Sequence, residues 1–112
     1  MNTTGFIRGY MAKNMNAEEF IQVVFRALSR EFEEETLTFK NTNNHYQITM
    51  GNYQVKLDKA FVEEHQSPYG IDRYILDEFK KQGYDLDINR SQYVQYCFDI
   101  HHGATVIDFR GR

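Results

Sequence analysis

The 112-residue chain is 41% hydrophobic and 26% charged, with one cysteine and a formal net charge of −3. That length supports one domain with its own core and leaves no room for a second. The small acidic surplus argues against a dedicated nucleic-acid binder, the lone Cys97 excludes an intramolecular disulfide, and no stretch approaches the ~20 apolar residues of a membrane span.

Residues 1–14 show no clear period. Phe6-Ile7-Arg8, bracketed by Gly5 and Gly9, reads as a frayed arm or as a short edge strand running through Tyr10. Because Arg8, Lys13 and several asparagines interrupt this segment, it does not read as a signal peptide, and a soluble cytoplasmic protein is expected. From Asn16 the pattern sharpens. Asn16 with Glu19 makes a capping box, Met15 and Phe20 make a hydrophobic staple, and a helix over residues 17–34 carries Ile21, Val24, Phe25, Leu28 and Phe32 on one stripe. Glu33, Glu34 and Glu35 fall at its C-terminal end, where the macrodipole disfavours negative charge. They are candidate contacts for a basic partner.

Residues 36–58 predict a three-stranded antiparallel meander. A Gly51-Asn52 turn sets Met50 opposite Tyr53, Ile48 opposite Val55 and Tyr46 opposite Leu57. A reversal at Asn41–Asn44 sets Phe39 opposite Tyr46 and Leu37 opposite Ile48. All eight point to one face, which the first helix is suited to cover. Asp58 can cap a short helix through Phe61 and Val62, broken by Ser67-Pro68-Tyr69-Gly70. A further helix over residues 71–82 carries Ile71, Tyr74, Ile75 and Phe79, with Lys80 and Lys81 in its last turn and Gly83 as its stop. Beyond it, Tyr84, Leu86 and Ile88 alternate, then Val94, Tyr96, Phe98 and Ile100, then Thr105, Ile107 and Phe109, predicting three more strands before a mobile tail at residues 110–112.

The expected fold is therefore a single α+β domain over residues 1–112, ordered helix, three antiparallel strands, helix, three antiparallel strands, with the helices on one sheet face. Glu31-Phe32 and Glu78-Phe79 close the two helices, and Tyr46 and Tyr93 follow at matching distances, which allows the halves to be a duplicated unit. This element order resembles that of the secretion-chaperone type of α+β domain, a likeness of order that carries no function.

Cys97, Asp99 and His101 share one face of the predicted strand, but same-face neighbours stand about 6.6 Å apart, so Cys97 and His101 are roughly 13 Å apart and make no triad. Asp99 and His101 could share a metal ion in a small metal-dependent enzyme or sensor, if further ligands such as His45 or His65 were brought to them. No glycine-rich phosphate motif occurs, and no cofactor is expected. Arg8, Lys13, Arg110 and Arg112, interleaved with Phe6, Tyr10 and Phe109, would form a small basic-aromatic patch for nucleic acid if the termini met. The leading expectation is a non-enzymatic protein-binding or regulatory domain of the inhibitor, immunity or adaptor kind. Its contacts would be a tyrosine-rich sheet surface, Tyr93, and the acidic helix end at Glu33, Glu34 and Glu35. Asn-, Lys- and Tyr-rich usage points to a bacterial or phage source. A strand over residues 104–109 left at a sheet edge would favour a twofold homodimer.

Overall fold

A computed structural model describes residues 3–100 of the chain, with side chains from residue 6 onward. Helix α1 (Thr3–Asn14) leads into α2 (Ala17–Glu31), strands β1 (Leu37–Asn41), β2 (His45–Met50) and β3 (Tyr53–Asp58), and then α3 (Lys59–Glu64), α4 (Gly70–Lys81) and α5 (Gln92–Cys97). The architecture is α+β: a three-stranded antiparallel sheet, ordered β1-β2-β3, with helices packed on one face. Among the described residues no helix is long and apolar enough to cross a membrane.

Helix α2 begins as its sequence dictates. The Glu19 amide donates to Asn16 Oδ1 at 2.8 Å, and the Asn16 amide donates back to Glu19 Oε1 at 3.3 Å, so the capping box is closed. Phe20, Ile21, Val24, Leu28 and Phe32 are fully buried, and the helix ends at Glu31, three residues before the expected Glu34. Tyr46, Ile48, Met50, Val55 and Leu57 face that stripe from the sheet, and Ile71, Ile75, Leu76 and Phe79 of α4 complete the core. Gly83 takes φ +111°, which favours glycine, and the bonds from Gly83 N to Lys80 O and from Tyr84 N to Phe79 O close α4 as a Schellman motif.

The β2–β3 hairpin has the expected register, with Met50 opposite Tyr53, Ile48 opposite Val55 and Tyr46 opposite Leu57. Gly51 holds φ +59°, the positive value that the first position of a Gly-X turn requires. The β1–β2 register differs from expectation by two residues. Phe39 lies opposite Ile48, not Tyr46, and Leu37 opposite Met50, not Ile48. The cause is the loop: both the backbone N–H and the hydroxyl of Thr42 donate to His45 O, at 3.0 and 2.9 Å, which places the reversal at residues 42–45. An even slip keeps every side chain on its own face. Phe39 still stacks diagonally on Tyr46, with ring centroids 5.9 Å apart.

The two sheet edges differ. The Gln54 N–H donates to Gln82 Oε1 at 3.0 Å, and Gln82 Nε2 donates to Gln54 O at 2.6 Å, so one side-chain amide pairs with the edge of β3 as a neighbouring strand's peptide unit would. Helices α3 and α4 also pack along that strand.

Two expectations fail at the ends of the chain. Residues 3–14 form a helix, not an arm or an edge strand. Its inward stripe is Arg8, Met11, Ala12 and Met15, at i, i+3, i+4 and i+7, which a purely apolar reading passes over because the first member is charged. The second trio of strands is not formed among the described residues. Tyr84, Leu86 and Ile88 do alternate inward, but as an extended segment with no partner strand. Residues 92–97 are helical because Ser91 caps them, its Oγ accepting from the Val94 N–H at 3.1 Å, with Val94 and Cys97 buried at i and i+3. The predicted strand over residues 104–109 and the tail at 110–112 lie outside the described residues. With an extended segment and a helix where the first two strands of that trio were expected, the second half does not repeat the first among the described residues.

Candidate functional site

The side chains most tightly organised away from the apolar core surround Arg8. Its Nη1 and Nη2 donate to Asp72 Oδ1 and Oδ2 at 2.8 and 2.6 Å, a bidentate pair in which Arg8 is 5% and Asp72 0% exposed. Nη1 also donates to Pro68 O, and the Tyr93 hydroxyl donates to Asp72 Oδ2. The guanidinium lies 4.9 Å from the Tyr69 ring centroid and 5.8 Å from that of Phe20, within cation–π range. Asp72 sits in the first turn of α4, where a helix N-terminus favours a carboxylate. Burial works against the Arg8 charge, but the hydrogen bond and charge of Asp72 outweigh it and raise the guanidinium above its ordinary value. Gln66 adds a second tie by donating to Ala12 O in the last turn of α1 and to Met15 O just beyond it, at 3.2 and 2.9 Å. Helix α1 is thus clamped to α4 and α5 through polar groups.

That clamp fixes what α1 presents on its other side. Phe6, Ile7 and Tyr10 are 75%, 46% and 66% exposed, the large hydrophobic side chains left in solvent among the described residues. Phe6 and Tyr10 are i,i+4 neighbours and Ile7 and Tyr10 are i,i+3 neighbours, so the three form one patch. At ~100° per residue, Arg8 lies roughly 200° from Phe6, on the opposite side of the helix. Of the residues expected in the basic-aromatic patch, Arg8 is instead buried in its ion pair on the other side of the helix, while Phe109, Arg110 and Arg112 lie outside the described residues.

The other candidate residues have these places. Asp99 is exposed at φ +59°, with its carboxylate 3.2 Å from Arg73, while His101 lies outside the described residues. Among the described residues no three His, Cys, Asp or Glu side chains are placed to share a metal ion. Glu33 and Glu34 are exposed and Glu35 half-buried. Arg90 neutralises part of that acidic end, with Nε 2.8 Å from Glu31 Oε2 and Nη2 3.2 Å from Glu34 Oε2. Tyr93 is committed to Asp72, and the sheet tyrosines Tyr46 and Tyr53 belong to the covered face, so the outer face carries Thr38, Lys40, Gln47, Thr49, Gln54 and Lys56 instead of a tyrosine surface. A shallow groove of about 600 Å³ between α3 and α4 is lined by Phe61, His65, Arg73, Tyr74 and Asp77. His65 stacks on Phe61 at 4.1 Å, and Arg73, the groove's arginine, is already paired with Asp77 and Asp99.

Burial pushes the Cys97 thiol and the Tyr69 and Tyr93 phenols above their ordinary values, with the nearby Asp72 charge adding to each. A thiol held protonated in this way is a poor nucleophile. In the unfolded chain Cys97 gives up its proton near about 8.5 and the tyrosines near about 10, whereas the folded protein keeps these protons to higher pH. Above pH ~8.5 the folded state thus binds more protons than the unfolded one, and stability falls as pH rises, by about 1.4 kcal/mol per unit for each such group. Urea denaturation at pH 7.0, 9.0 and 10.5 should show the decline start above 8.5 and steepen near 10. A flat profile would mean that these groups titrate alike in both states.

Comparisons with protein-family models, with curated proteins and with solved structures return no match to this chain. Among the described residues the second trio of strands, on which the likeness of element order to secretion chaperones rests, is not formed.

Proposed function

We propose that this chain is a non-enzymatic protein-binding domain whose principal contact is the outward face of α1. The observation that carries this reading is the patch of Phe6, Ile7 and Tyr10 on a helix whose opposite face is locked by a buried ion pair. Contiguous exposed apolar side chains mark contact surfaces, and a rigidly held helix loses little freedom on docking. The partner that fits is a protein offering an apolar groove to one helix face, with Phe6 and Tyr10 as the i,i+4 anchors. Glu33, exposed beyond α2 and without an ion pair among the described residues, would add a contact for a basic residue on that partner, whereas Glu34 is already held by Arg90.

The test is affinity capture from the native host with the full chain and with the double substitution F6S/Y10S. Both positions are mostly exposed, so the variant should retain its circular dichroism spectrum and melting temperature. A stoichiometric partner held by the wild type and lost from the folded variant is expected. Capture of no such partner, or equal capture by both, would overturn the reading.

A further inference from the structure

Among the described residues strand β1 is an edge of the sheet with no strand beside it, and its free peptide groups can pair with those of another strand. The N–H of Gly51 donates to Thr36 O and the N–H of Thr42 to His45 O, so the even-numbered positions 36, 38, 40 and 42 turn their peptide groups toward β2. The peptide groups of Leu37, Phe39 and Asn41 therefore point away from the sheet, and among the described residues no hydrogen bond is made to them. At the opposite edge, the outward groups of Gln54 are both taken by Gln82.

From this we infer that two copies of the chain associate through antiparallel β1–β1 pairing about a twofold axis at Phe39, giving one continuous six-stranded sheet. In that register Phe39 faces Phe39 of the second copy, Leu37 faces Asn41, and Thr38 faces Lys40. Each of the outward-pointing residues then meets another outward-pointing residue, so both partners' free peptide groups are satisfied along the whole strand. Leu37 and Phe39 are half-buried on the core face, beside half-buried Phe25 of α2, whose ring lies 5.6 Å from Phe39. A second copy continues this apolar strip across the junction. On the outer face the only charge of β1, Lys40, meets Thr38 and not its own equivalent, so the register opposes no like charges. A single patch complementary to itself gives a closed dimer. This association is independent of the α1 surface and can fail without affecting the proposal made for it.

The experiment is sedimentation equilibrium of the full chain over a dilution series, with T38E and T38K as paired variants. Thr38 is exposed on the outer face, so neither substitution touches the core. T38E places a carboxylate opposite Lys40 of the second copy twice per dimer, and T38K places an ammonium there twice. Dimerisation is expected for the wild type, tightened by T38E and weakened by T38K, with Kd moving on the order of 2- to 30-fold each way and converging as salt rises. A monomer mass for the wild type at the highest concentration would overturn the proposal. So would a dimer whose Kd is the same in T38E and T38K, because its interface would lie elsewhere.

Discussion

Replacing Arg8 by methionine is expected to cost about 3–5 kcal/mol of folding stability, the range for removing one partner from a buried ion pair. Asp72 is fully buried, and without the guanidinium it keeps only the Tyr93 hydroxyl as donor to a carboxylate out of reach of water. The loss is large against the ~5–15 kcal/mol total of an ordinary domain. The contacts to Pro68 O, Tyr69 and Phe20 go with it, so α1 should loosen first. Urea denaturation at pH 7 measures the effect, and the double substitution R8M/D72L should recover much of it because no charge is then left buried. A loss below about 1 kcal/mol for R8M alone would mean that water reaches Asp72 and the clamp is weaker than its geometry.

The second large effect is expected at Phe32. Its ring is fully buried at the C-terminus of α2, meets Tyr84 edge-on with centroids 6.0 Å apart, and lies 4.5 Å beneath the Arg90 guanidinium. Phe32→Ala removes a core aromatic and should cost about 3–5 kcal/mol. Arg90→Ala should cost less, under about 1.5 kcal/mol, since its ion pairs with Glu31 and Glu34 are partly exposed. The double variant should lose less than the sum of the two, because once the ring is gone the guanidinium has no face to rest on. Strict additivity would show that the stacked geometry contributes nothing.

These residues also show what the chain discloses locally and what it withholds. Asn16, Glu19, Gly51 and Gly83 act within a few residues of themselves, through a cap, a turn and a helix stop, and each works as its residue type dictates. The β1–β2 register was harder to read because two four-residue reversals, one residue apart, put the same side chains on the same face; a hydroxyl at Thr42 decides between them. Residues 92–97 carry a period of two and a period of three at once, and only the Ser91 cap distinguishes a short helix from a strand. Helix α1 was hidden because its core-facing residue is an arginine whose partner lies 64 positions away, and nothing local announces a long-range ion pair. For the same reason proximity along the chain groups Arg8 with Phe6 and Tyr10, although the helix sends them to opposite sides.

The Gln82 amide on β3 has a consequence for how far a sheet can grow. A strand ladder lengthens only when each added unit offers a fresh edge to the next, as a fibril does. Here the outward peptide groups of Gln54 are held by the molecule's own glutamine, so a strand arriving at β3 would have to displace that amide before it could pair, whereas β1 offers its edge without that cost. The side chain of Gln82 thus biases any sheet growth toward one edge of the monomer.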